Sequence, residues 1–404
     1  MGPLKDIKIF DLTRVLAGPH CTQILGDLGA DIIKIERVEN GDDTRKFAPP
    51  FMKDQNGDDT NQSAYFSGTN RNKRSLTLDL SSSEGQAIAK ELISKSDILV
   101  ENFKVGTLKK YNLDYDSLKD EFPSLIYCSI TGFGQTGPYA NRPAYDALVQ
   151  AMGGVMSLTG EPDGEPMKVG VSIADLMAGM YATVSVLAAL RHRDKTNEGQ
   201  HLDISMLDAH VAWLANQGMN YLATGKNPQR LGNQHPNILP YQVMPSKDGY
   251  FVLSVGNDAT FERFCEVASC EYLLEDKKFA EAVQRVKNRE EVTNKLNEIT
   301  KMHETKWWLE KLEAKNIGCC AINTLEEVFS DPQVISREMV LNMEGTDEKK
   351  SPYKLIANPI KMKEGSITYR YPPPQHGEHT SELLKEYLDY SDEKIDALKK
   401  SGII

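Results

Sequence analysis

None of the six cysteines stands at CxxC spacing, and the nearest pair, Cys319 and Cys320, is adjacent and poorly placed for an ordinary disulfide. That pattern excludes zinc-ribbon and dithiol-redox readings and predicts a reducing compartment with buried thiols. The eight histidines form no HExxH or other close ligand group. His376 and His379 fall in PPPQHGEHT, which reads as a solvated loop, so no metal is expected. No run of about 18 apolar residues occurs, which predicts no membrane-spanning helix. Positive charge is in deficit: Lys and Arg number 47 against 58 Asp and Glu, a net charge of −11. A nucleic-acid partner would call for the opposite balance. The opening MGPLKDIKIFDL has neither an apolar signal core nor an Arg- and Ser-rich leader, so secretion is not expected.

What is present suits a large soluble core. The 404 residues are 40% hydrophobic and 26% charged, enough for two or three domains. Strand and helix signals alternate through the first 205 residues: strands at 8–12, 31–36, 97–103, 124–132 and 201–205, and helices after Ala17-Gly18-Pro19, at 84–96 and at 172–193. Strands separated by helices predict βαβ units, hence a Rossmann-like, doubly wound parallel sheet. Near residue 225 the character changes. GKNPQRLGNQHPNILPYQ is rich in Gly, Pro and Asn, DGYFVLSVGN reads as a hairpin arm, and 258–316 is mostly helical and charged. The expected organisation is a large α/β domain over 1–200, a smaller α+β domain over 225–325, and a segment, 326–404, returning to the first.

Four patterns could carry chemistry. GFGQTG (132–137) matches GxGxxG, but Pro138 and a loop follow it where a dinucleotide fold needs a helix, so a structural turn is favoured. Asp175 opens an apolar helix. Ser172 and Asp175 have the S-x-x-D spacing of a capping pair, and that bland reading is favoured on the residues alone. The same position suits a carboxylate nucleophile, kept ionised by the first turn of its helix. Tyr145-Asp146 alone is an ordinary loop pair. Arg14, Arg37, Arg45, Arg71, Lys73, Arg74, Lys110 and Arg142 punctuate the sheet-end loops. They are either solvated surface or a set of cations for the phosphates of an anionic ligand.

Taken in order, DLTRVLAGP (11–19), LGADIIKIER (28–37), GDDTR (41–45), NRNKRSLTLDL (70–80), ILVENF (98–103), SITGFGQTGP (129–138), RPAYD (142–146) and the Asp175 segment resemble the class III coenzyme A transferases. GNQHPNILPYQ and KDGYFVLSVGN extend the resemblance into the second half. The branch acting on succinyl-CoA and glutarate is the nearest in kind. The resemblance implies an interlocked homodimer and no tightly bound cofactor, with coenzyme A and acyl-CoA as substrates. It also implies Asp175 as the nucleophile, forming an aspartyl mixed anhydride and then an aspartyl–CoA thioester. It places Leu16, Ala17, Arg37, Leu78, Asn102, Phe103, Lys110, Arg142, Ala144 and Tyr145 along the coenzyme. The distal carboxylate of a dicarboxylic acid would need a cation, with Arg14, Arg45, Arg71 and Arg230 as candidates. Mitochondrial matrix or cytoplasm is the implied location.

The chain departs from parts of the family. Leu16 replaces the glutamine of formyl-CoA transferase, and Gly256 stands alone in SVGNDATF where that enzyme has a glycine run, which argues against a formyl and oxalate pairing. Pro143 replaces a lysine whose phosphate contact would pass to Arg142, and Val105 replaces a proline. The related α-methylacyl-CoA racemases carry histidine where Tyr145 stands. Tyrosine is a poor base near neutrality, so Cα proton transfer is the second reading. A CoA-binding module without catalysis is the third.

Overall fold

A computed structural model of the chain describes residues 2–54, 56–345 and 353–404. It divides into two compact units. The first comprises Met1–Gly153, Gly170–Trp213 and Gln333–Ile404; the second comprises Gly154–Val169 and Leu214–Pro332. The second unit therefore includes a short piece of the N-terminal half that composition did not single out.

The first unit is built on a six-stranded parallel sheet. Its strands are β1 (Lys8–Asp11), β2 (Asp31–Glu36), β3 (Lys73–Thr77), β4 (Ile98–Glu101), β5 (Ile126–Thr131) and β6 (Gln200–Ser205). Their spatial order is β3-β2-β1-β4-β5-β6. The order reverses between β1 and β4, so the loops leaving those two strands part and open a crevice at their carboxyl ends. Both faces of the sheet are covered, so successive residues of β1 and β2 are buried whichever face they point to. Ile9, Ile32, Ile98 and Ile126 pack under α1 (Ala17–Asp27) and α4 (Ile173–Thr196). Phe10, Ile33, Leu99 and Tyr127 pack under α2 (Ser83–Ile93) and the C-terminal helix Thr380–Leu388.

Strand β3 escaped the sequence reading because its KRSLT is polar. Lys73, Arg74 and Ser75 are all buried, each against a specific partner. Helix α4 also departs from expectation. Among the described residues it is one helix long and apolar enough to cross a membrane by length and composition. Here it buries Ala174, Ala178, Ala182 and Val186 against the sheet and α1. All six cysteines are free thiols; Cys320 is exposed and Cys319 half-buried, so the expectation of buried thiols holds for the other four.

The second unit contains a three-stranded antiparallel sheet of Tyr241–Pro245, Tyr250–Ser254 and Gly318–Ala321. Phe251, Phe261, Phe264 and Trp308 form its aromatic core. The Trp308 indole N–H donates to the Thr300 carbonyl at 2.7 Å, so the ring is buried without an orphaned donor.

Candidate active site

The crevice at the strand-order reversal is organised by the turn between β1 and α1. Asp11 ends β1 and accepts hydrogen bonds from the Thr13 N–H at 2.8 Å and the Thr22 hydroxyl at 2.6 Å. Asn102, at the end of β4, clamps Arg14 in both directions: its Oδ1 accepts from the Arg14 N–H at 2.9 Å and its Nδ2 donates to the Arg14 carbonyl at 2.7 Å. Lys34 is fully buried beneath the turn and donates to the Thr13 carbonyl and to Asp42, both at 2.9 Å. Asp42 in turn accepts from the Val15 N–H at 3.3 Å. These anchors hold Val15 at φ +70°, an unfavourable conformation for a β-branched residue, and the chain then enters α1 at Ala17.

Asp175 lies on the first turn of α4, against the N-terminus of α1. The approach depends on Gly179, one turn further along α4: a Cβ there would stand 2.6 Å from the Ala17 carbonyl oxygen. The Ala17 N–H donates to the Asp175 carboxylate. The expected capping pair does not form, since the Ser172 side chain caps nothing in α4. The cap comes from Asp146 instead, whose Oδ1 accepts from the Ala174 N–H at 2.8 Å and whose Oδ2 accepts from the Gln150 amide at 2.6 Å. Tyr65 adjoins the pair and hydrogen-bonds Ser172.

The Asp175 carboxyl is pushed up to about 7, first by burial and then by the Asp146 charge; the Ala17 N–H opposes both and is outweighed. The expectation that the helix terminus alone keeps this group ionised is therefore corrected. Near neutrality Asp175 is close to half-protonated, and above that pH it is a carboxylate more basic than an ordinary one. Asp146→Asn should keep a cap for Ala174 while removing the charge. The acid limb of an activity–pH profile is expected to move down by about one pH unit. An unmoved limb would show that Asp146 does not tune the nucleophile.

Beside this turn is a cavity of about 590 Å³, lined among others by Leu12, Arg14, Arg37, Leu78, Phe103 and Tyr111. Arg14 and Arg37 share one carboxylate, Asp43, at 3.2 and 2.5 Å, which leaves a net positive charge local to that corner; elsewhere the lining holds Glu36 and Asp42, matched by Arg45 and Lys34, and the carboxylates of Glu39 and Asp79. The Arg14 guanidinium also lies 5.1 Å from the Phe103 ring centroid. Such a pocket suits a ligand with a flat ring and anionic groups.

The structure thus gathers Arg14, Arg37, Leu78 and Phe103 in one cavity and braces Arg14 with Asn102, whereas Leu16 and Ala17 open α1 outside the lining. Other expected residues stand apart. Lys110 is exposed on a short 3-10 turn outside the lining, where Tyr111 contributes instead. Arg142 stacks on Tyr139, its guanidinium 3.9 Å from the ring centroid. Tyr145 is exposed as the residue preceding the short helix α3 (Asp146–Met152). Ala144 rests on Gly132, where an added Cβ would come within 2.0 Å. That contact gives GFGQTG its use as a turn, with no helix following it.

The proposed substrate cations separate as well. Arg45 is held by Glu36 at 2.6 Å and by the Pro374 carbonyl, and Arg71 by Asp27 at 2.6 Å and by the Ile356 carbonyl. Both guanidiniums are thereby committed to the fold. In the second unit, Arg230 binds the backbone carbonyls of Glu161, Pro162 and Gly164. The sequence reading missed Tyr65 and Asp42 and left Asp146 as a loop residue. Only the GDDTR and RPAYD segments hinted at the last two.

The model of CoA-transferase family III matches residues 4–380. A succinate–glutarate CoA-transferase of Agrobacterium fabrum is 45% identical over 384 residues, covering 95% of each chain. The human succinyl-CoA:glutarate CoA-transferase is 38% identical over 402 residues, covering 100% of this chain and 90% of that one. A crystal structure of a CaiB/BaiF family protein from Brucella suis superposes with a TM-score of 0.84 at 43% identity, covering 96% of this chain and 99% of the other.

Proposed function

Since the chain belongs to CoA-transferase family III and is a CoA-transferase, we propose that it moves CoA from succinyl-CoA to a small dicarboxylate such as glutarate, with Asp175 as covalent relay. The observation that carries the mechanism is Asp175 itself: a partly buried carboxylate of raised basicity at the N-terminus of α1, the helix entered from the turn that bears Arg14. The relatives' names support the choice of acids.

In the proposed sequence, an Asp175 oxygen attacks the succinyl thioester carbonyl and CoA leaves as thiolate. The acyl group remains on Asp175 as a mixed anhydride. The thiolate then attacks the aspartyl carbonyl and releases succinate, leaving an aspartyl–CoA thioester. Glutarate attacks that thioester, CoA thiolate leaves, and attack of the thiolate on the glutaryl carbonyl regenerates Asp175. Each step exchanges near-equivalent carboxylates, so none is steeply uphill. The Ala17 and Gly18 N–H groups at the first turn of α1 are the donors placed to hold the transient oxyanions; Pro19 has none to offer. The cavity beside Arg14, Arg37 and Phe103 would take the adenine and phosphate end of CoA. The pH preference follows: transfer should rise as pH passes upward through about 7 and Asp175 ionises.

We further propose a homodimer, in the interlocked form that the family resemblance implies. In the first unit Met180, Tyr181, Val184 and Leu187 of α4 are exposed, as are Leu148 and Met152. Apolar side chains grouped in this way are characteristic of a covered surface. The test is a panel of mono- and dicarboxylic acids assayed with succinyl-CoA, on protein whose mass is measured by light scattering. Glutarate among the best acceptors and a dimer mass are expected. Preference for a monocarboxylate would overturn the substrate assignment, and a monomer mass the assembly.

A further inference from the structure

The second unit holds a cavity of its own, about 1250 Å³, between helix Arg289–Thr300, the strands Tyr241–Pro245 and Tyr250–Ser254, and the loop at 231–234. Arg289 stands at its edge, half-buried, and differs in the company it keeps from seven of the other thirteen arginines. Arg14, Arg37, Arg45, Arg71, Arg74, Arg193 and Arg285 each have a carboxylate partner. The partners of Arg289 are neutral: Nη1 donates to the Gln234 side-chain oxygen at 3.1 Å and Nη2 to the Pro236 carbonyl at 2.8 Å. Gln234 is itself fixed, its amide donating to the Thr293 hydroxyl at 3.3 Å one turn along the same helix. The guanidinium is thus aimed and held, and burial draws its pKa below the usual range.

Removing a cation from water without a counter-ion is costly, and a ligand anion would repay that cost. The other charges in the cavity leave this role open. Lys287 and Lys301, also in the lining, make no ion pair among the described residues, and the Asn288 side chain leaves the start of the Arg289 helix uncapped. Glu291 is paired with Lys278 at 2.9 Å, the Glu161 carboxylate lies against Gly232, and Glu290 is exposed.

We infer that the cavity beside Arg289 is a carboxylate-binding site of the second unit, in which the guanidinium fork, oriented by Gln234 and Pro236, receives both oxygens of a small organic acid. Planar bidentate geometry favours a carboxylate over a spherical anion. The assignment uses no step of the transfer chemistry at Asp175.

The test measures binding of glutarate and of succinate to the CoA-free full-length protein by calorimetry. The wild type, Arg289→Gln and Arg289→Lys are compared, with circular dichroism to verify that each variant is folded. Wild-type binding is expected, weakened at least about tenfold in Arg289→Gln and by less in Arg289→Lys, which keeps the charge and loses the fork. The same titration on Asp175→Asn should match wild type, which separates this site from the proposed nucleophile. Unchanged affinity in Arg289→Gln, no acid binding to the wild type, or displacement by sulfate as effective as by glutarate would each overturn the assignment. If Arg289→Gln proves unfolded, Gln234→Leu, which removes the group that aims the fork, should weaken binding in a folded protein, and unaltered affinity there would overturn it equally.

Discussion

Asp175→Ala is expected to lower transfer by roughly four orders of magnitude or more while the protein stays folded, because the relay cannot form without the carboxylate. The measurement is transfer of CoA from succinyl-CoA to glutarate, paired with hydroxylamine trapping after incubation with succinyl-CoA alone. Wild type should be modified at Asp175, and the variant at no carboxylate. Retained transfer, or trapping at another residue, would remove Asp175 from the mechanism. A stability effect of opposite sign should accompany the loss. The Asp175 carboxyl is raised from 3.8 to about 7, so between those values the folded state binds more protons than the unfolded one. Stability falls as pH rises through that window, and the penalty is complete above about 7. Its upper bound is about 4 kcal/mol. Asp175→Asn should recover on the order of 1–3 kcal/mol at pH 8 and little at pH 4, as read from denaturant unfolding. A variant less stable than wild type at pH 8 would show that the raised basicity is not a cost to the fold.

The second large effect is expected at Lys34→Met. Lys34 is fully buried; burial opposes its charge, and Asp42, Asp11 and Glu36 together outweigh that opposition and raise its pKa. Asp42, held down to about 2 against burial chiefly by Lys34, is fully buried as a side chain too. Removing the ammonium leaves Asp42 uncompensated and the Thr13 carbonyl without its donor, a change expected to cost about 3–5 kcal/mol. Because Asp42 and Thr13 anchor the turn over the crevice, KM for acyl-CoA should rise as well. Lys34→Met/Asp42→Asn, which removes both charges, should recover part of the stability and little of the KM. A single variant as stable as wild type would mean that the buried pair contributes nothing net.

These two residues were not equally legible. Asp175 was visible as a carboxylate opening an apolar helix, and the family resemblance gave it a role. Lys34 sits inside DIIKIE, where alternation suggests a solvent-facing lysine on a strand. Nothing local reveals that its ammonium lies under a turn whose Thr13 carbonyl is 21 residues earlier. Strand Lys73–Thr77 was hidden for the same reason, since polar residues inside a parallel sheet are matched by partners distant in the chain. The capping role shows the converse. S-x-x-D spacing pointed to Ser172, yet the bond to Ala174 comes from Asp146, 28 residues away.

The sequence by itself determined the alternation of strands and helices and the order of motifs that marks the family. These follow from local periodicity and composition, which survive without knowledge of neighbours. Only the tertiary structure decided which charges are free to act. It neutralised Arg45 and Arg71 with buried carboxylates, left Arg289 with neutral partners, and raised the basicity of Asp175 by setting it in a partly dry place beside Asp146. Charge and basicity depend on desolvation and on separations of a few ångströms, and those are set by the packing of distant segments rather than by their spacing along the chain.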